Sequence, residues 1–127
     1  MIKRKNFLKI CKEVRLNTLS SIFKAGSGHS GPSLSIVELL VFIFFGVKKK
    51  NEKFVLSKGH GVPSLYATFV SLGLISKSEL HTLRVINSRL QGHPDMTKLK
   101  FLDAGTGALG QGLSIAIGYA LSFKLKK

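Results

Sequence analysis

Apolar residues recur with helical spacing over much of this chain. Between residues 2 and 24 they fall at Leu8, Cys11, Val14 and Ile22, with Lys and Arg between them, which predicts a first helix. The run Ala25-Gly26-Ser27-Gly28-His29-Ser30-Gly31-Pro32 breaks that pattern and predicts a loop. Ser33 is placed to cap a second helix through about Phe45, with Gly46 closing it. Lys48 to Lys53 is a polar connection, and Phe54-Val55-Leu56-Ser57 is the one convincing strand candidate. A third helix follows from about Val62 to Leu72, closed by Gly73. Ser76 and Glu79 have the spacing of a capping box and predict a short helix through about Ile86. Residues 87–100 are loop-like, and a small-residue helix runs from about Gly107 to Leu125.

Composition narrows the class. A chain of 127 residues with 44% hydrophobic content forms one globular domain and is too short for two. Its single cysteine, Cys11, excludes an internal disulfide and fits a reducing, cytoplasmic setting. No signal-peptide pattern follows the basic N-terminus. The apolar run Leu34–Val47 is shorter than the ~20 residues a bilayer span needs, so a buried helix and no membrane partner are expected. The net charge of +14 comes from Lys spread along the chain, without interleaved aromatics, so no nucleic acid partner is expected.

The candidate chemistry lies in four glycine-rich turns: Ser27 to Gly31, Ser57 to Gly61, Gln91 to Asp95 and Gly105 to Gly112. Three of them place a histidine directly after a glycine: His29, His60 and His93. Glycine allows close backbone approach, and histidine exchanges protons near neutral pH. The fourth histidine, His81, falls on a helix and reads as a surface residue. The spacing of the other three is too wide for a local metal motif. Gly105, Gly107 and Gly110 fit the dinucleotide-binding fingerprint, but no acidic residue follows Gly110 and no strong strand precedes Gly105.

Taken together, Phe54 to Gly61, Ser88 to Met96 and Asp103 to Ser114 closely resemble the transketolase family, and the split transketolases in particular. The resemblance implies an α/β fold. Residues 1–127 would be the N-terminal part of a thiamine diphosphate-binding domain, mostly helical with one or two strands. It implies transfer of a two-carbon ketol unit between sugar phosphates, with thiamine diphosphate and a divalent metal, usually Mg²⁺. By the same resemblance His29 lies near the substrate carbonyl and hydroxyls, and His93 at the substrate's terminal hydroxyl end. His60, flanked by Gly59 and Gly61, lies beside the cofactor diphosphate, and Gly107 and Leu109 touch the aminopyrimidine. Ser30 and Ala108 stand where the family usually has proline.

The family's Gly-Asp-Gly metal element and later Asn come after the last helix read here, so no metal ligand is expected within the chain. A C-terminal half or subunit would complete the site, in a homo- or hetero-oligomer. The alternative is a non-catalytic relic that serves as an interaction module.

Overall fold

The computed structural model describes residues 2–126; Met1 and Lys127, the last of the C-terminal basic cluster, lie outside the described residues. Helix α1 spans Arg4–Ala25 and ends on Gly26, whose φ of 61° supplies the left-handed turn that closes it. Two short helices follow, α2 (Ser30–Leu34) and α3 (Val37–Phe42), and a π-turn over Ile43–Val47. A 3-10 turn at Gly59–Gly61 leads into α4 (Val62–Ser71). Helix α5 is a single turn, Lys77–Leu80, and α6 spans Gln111–Leu125.

Helix α4 is the centre of the core. Val62 to Phe69 are all buried, and α1, α2, α3 and α5 pack around them. The face that α1 turns inward is partly polar. Cys11 and Val14 are buried with Asn17, Thr18 and Ser21, whereas Leu8, expected on that face, is exposed. Thr18 and Ser21 are accommodated because their hydroxyls donate to the carbonyls of Val14 and Thr18. Thr18 also meets Ser64 of α4 at 3.0 Å. Burial pushes the Cys11 thiol up from its ordinary pKa.

Several expectations are corrected. No strand forms among the described residues, so the one or two strands expected, including Phe54–Ser57, are absent there. A strand requires a paired neighbour, and here the polar groups of that segment go to side chains. Phe54 N donates to the Asp103 carboxylate at 3.0 Å, and the Leu56 carbonyl accepts from Thr106 Oγ1 at 2.6 Å. Ser33 lies inside α2 rather than at a helix start, where its hydroxyl donates to the His29 carbonyl. Gly46 lies within the π-turn, and Lys48 ends it.

Ser76 caps α5 by accepting from the Glu79 amide. Glu79 does not reach back; it pairs with Arg89 at 2.7 Å, and the helix ends at Leu80 rather than near Ile86. The helical stretch Ser30–Val47 covers 18 residues with mean hydropathy 1.8, so by length and composition it is long enough to cross a membrane, longer than the apolar run Leu34–Val47 alone suggests. In the fold it is bent into α2, α3 and the π-turn, with Val37, Leu40 and Val41 buried in the shared core.

Candidate functional site

The three Gly-His turns come from distant parts of the chain and meet. His29 stands at the start of α2, His60 in the 3-10 turn before α4, and His93 in the irregular segment before α6. The rings of His29 and His60 lie edge to face with centroids 4.8 Å apart, and those of His60 and His93 with centroids 4.7 Å apart. His60 is thus the middle of a row. His81 stays outside it and contacts Ser20 Oγ at 3.3 Å.

The glycines on either side of His60 are tightly packed. A Cβ on Gly59 would stand 2.6 Å from the Thr106 carbonyl oxygen, so the His60 turn lies directly on the backbone of the last glycine loop. A Cβ on Gly61 would meet the Ile36 side chain at 2.8 Å and the Pro32 carbonyl at 3.2 Å. A Cβ on Gly107 would stand 3.4 Å from the His93 ring, an ordinary contact distance, so Gly107 lies beside that ring. Leu109 is 70% exposed, so its side chain projects away from the packed core. Residues 91–95 and 105–108, with Gln111 and Ile115, line an open groove of about 770 Å³ that His93 borders.

Sequence reading missed three supporting residues. Thr106 ties the last glycine loop to Leu56. Tyr66, fully buried in α4, donates its hydroxyl to the His93 carbonyl at 3.3 Å, and burial raises its pKa. Arg84 donates to Ser27 Oγ at 2.8 Å. Nothing in the sequence singles out Arg84, which lies 57 positions from its partner.

Two ring nitrogens, Nδ1 of His60 and Nε2 of His93, are buried without a hydrogen-bond partner. A buried polar atom left unpaired costs about 1–3 kcal/mol. A polar ligand seated beside these rings would remove that cost, which is the fit a phosphate- or hydroxyl-bearing molecule requires. Among the described residues no group of three or more His, Cys, Asp or Glu is placed to hold a metal ion.

Burial first, then the electrostatic influence of His60, Arg84 and His29, holds His93 below its ordinary value of 6.5. It is therefore a neutral imidazole at pH 7, with one donor and one acceptor nitrogen. The unfolded chain binds this proton at higher pH than the folded chain does, so stability falls as pH drops below about 6.5. Glu38 and Asp95, whose carboxyls are held below 4.5 and 3.8 by Arg15 and Thr97 respectively, act only at lower pH. Urea midpoints should therefore decline between about pH 7 and pH 5, and His93→Gln should flatten the decline. An equal slope in the variant would assign the effect elsewhere.

Comparison with known proteins decides the family. The profile described as transketolase, thiamine diphosphate binding domain, matches residues 7–127, and so includes all three Gly-His turns. This chain belongs to the transketolase family. Human transketolase is 39% identical over 120 residues, covering 87% of this chain and 19% of that protein. The 6-deoxy-6-sulfo-D-fructose transketolase subunit of Clostridium sp. is 40% identical over 121 residues, covering 88% of this chain and 44% of that subunit. A crystal structure of a transketolase variant from Pichia stipitis superposes with a TM-score of 0.77 at 29% identity, over 84% of this chain and 17% of that one. The chain thus spans about a fifth of the length of the transketolases it matches and under half of the separate-subunit relative. The transketolase match also removes the dinucleotide reading of Gly105, Gly107 and Gly110.

Proposed function

We propose that this chain forms the cofactor-facing part of a transketolase that moves a two-carbon ketol unit between sugar phosphates. The observation that supports it most is the row of three loop histidines with two buried, unpaired ring nitrogens. A purely structural set of turns has no need to bring three ionisable rings into contact. When bound, thiamine diphosphate supplies the nucleophile and electron sink for breaking a carbon–carbon bond beside a carbonyl.

The chain's own residues then bind and orient. His60, carried on the Gly59–Gly61 turn, donates to the diphosphate. Gly107 and Leu109 meet the aminopyrimidine, one through backbone and one through its side chain. His29, exposed at the rim, hydrogen-bonds the substrate carbonyl and hydroxyls. His93, neutral near pH 7, can give or take a proton at the substrate's terminal hydroxyl end. The described residues offer no donor set that fits Mg²⁺, so no step here runs through a metal. The Clostridium relative and the apulose-4-phosphate transketolase relative of Phocaeicola vulgatus are both named as subunits, which favours a partner chain that completes the site. In this reading the chain does not turn over substrate alone, and its single buried cysteine suits the cytoplasm.

The test is thiamine diphosphate binding to the chain by calorimetry. Loss of a hydrogen bond to a charged group is worth about 1.5–3 kcal/mol, so His60→Ala should weaken binding roughly 10- to 100-fold. Equal affinity in the variant would remove His60 from the diphosphate. No binding even when the metal-binding segment and the C-terminal half are supplied would favour the second reading, a non-catalytic interaction module. The exposed apolar face of α6 is the observation that favours it.

A further inference from the structure

Among the described residues Arg84 is one of two non-glycine residues with positive φ, at 62°. That region costs a side-chain-bearing residue on the order of 1 kcal/mol, and such strain persists where the surroundings require it. Here the backbone N–H of Arg84 donates to the Leu90 carbonyl at 2.8 Å, which folds residues 84–90 back on themselves. The turn sends the guanidinium between two of the histidine loops. Its Nη1 donates to Ser27 Oγ at 2.8 Å, two residues before His29. A Cβ on Gly92, one residue before His93, would stand 2.9 Å from the Arg84 Nε and 3.0 Å from its Nη2, so the guanidinium lies close against that loop.

We propose that Arg84 is the positioning residue of the histidine row: it clamps the His29 loop to the His93 loop and so fixes both outer rings against His60. A Cβ at position 92 would push the guanidinium aside and with it the tie to Ser27, so glycine there suits the clamp. The clamp explains why a strained conformation is kept at 84, because the left-handed turn aims the side chain inward. Beside burial, the Arg84 charge also helps to hold the His93 pKa below its ordinary value. What the rings do rests on the transketolase reading; how they are held does not.

The four histidines allow the test to be made on the chain itself, by ring-proton NMR between about pH 5 and 8. In Arg84→Gln the His29–His60 and His60–His93 ring contacts should both weaken. The His93 midpoint should rise, because a positive neighbour is removed. His81, which is outside the row, should not change. Arg84→Lys keeps the charge without the two-way reach, so the His93 midpoint should return toward that of the parent while the ring contacts stay weakened. If Arg84→Gln does not fold, Ser27→Ala removes the same tie from the other end and should loosen the His29–His60 contact alone. Unchanged ring contacts and midpoint, or a shift of His81 as large as that of His93, would overturn the assignment. These NMR effects without thiamine diphosphate binding, when the metal-binding segment and C-terminal half are also supplied, would leave the clamp standing and reject the cofactor role given to the rings.

Discussion

Gly112→Ala should be among the most damaging single-methyl changes in this protein. A Cβ at Gly112 would stand 2.4 Å from the Ser57 Cα, 2.6 Å from its Cβ and 2.7 Å from its Oγ. The first of these is backbone, so rotating a side chain does not relieve the clash. Nor is the 54–57 segment free to retreat. Phe54 N is held by Asp103, the Leu56 carbonyl by Thr106, and Gly59 rests on the Thr106 carbonyl with no room for a Cβ. Asp103 is itself fixed by Lys53 at 2.8 Å, and its carbonyl accepts from Tyr119 of α6.

The start of α6, the Ser57 turn and the last glycine loop therefore move together or not at all. Overpacking at such a site costs about 1–3 kcal/mol and occasionally more. With backbone on one side of the clash, a loss of about 3 kcal/mol in the urea-derived stability is expected. Gly118, in the same helix with nothing within 4 Å, is the control. Gly118→Ala should stabilise by about 0.5–1 kcal/mol through helix propensity alone. If Gly112→Ala matched Gly118→Ala, the close seating of α6 on Ser57 would be wrong.

The site was more legible in the sequence than the fold around it. The glycine-flanked histidines could be read because their chemistry is local: each sits in a turn that its own glycines mark. Their meeting could not be read from spacing, since His29, His60 and His93 are joined only through packing. Arg84 was invisible because its two contacts are distant in sequence and nothing in the sequence marks a left-handed arginine. The long helices α1 and α4 follow their patterns closely, whereas α6 begins at Gln111 and not near Gly107, because Gly107 to Gly110 stay in the glycine loop. The inward face of α1 was read in part: Cys11 and Val14 are buried as apolar periodicity implies, but that periodicity also counts Leu8, which is exposed, and does not mark Thr18 or Ser21. The tertiary contact with α4 selects the hydroxyl-bearing stripe, whose donors are satisfied within the helix. The strand at 54–57 was misread because an apolar run such as Phe54-Val55-Leu56 reports burial. It does not supply a pairing partner.

The second large effect concerns α6. Among the described residues Gly112 is the only buried one of this helix. Leu113, Ile117, Leu121 and Leu125, spaced by four, form a ridge with exposures of 65%, 52%, 55% and 86%. Covering four such side chains on each of two copies recovers on the order of 10 kcal/mol, taking somewhat over 1 kcal/mol for each partly exposed side chain. Association costs about 4 kcal/mol or more. The remainder is at most roughly 6 kcal/mol, which corresponds to self-association no tighter than tens of micromolar. The net charge of +14 opposes it, and that repulsion is screened over ~10 Å at 0.1 M salt. Association should therefore strengthen as salt is added, the opposite of a charge-driven contact.

Sedimentation velocity across about 5–500 µM, a range bracketing that affinity, measures it. Replacing Leu113, Ile117 and Leu121 together by Glu should leave a monomer. The replacement also lowers the net charge from +14 to +11 (three added negative charges), which by itself reduces repulsion and favours association. A monomeric triple variant would therefore show that the apolar ridge is the contact, against the direction of the charge effect. A parent chain that stays monomeric throughout, or a triple variant that associates as well as the parent, would mean that this ridge does not drive association.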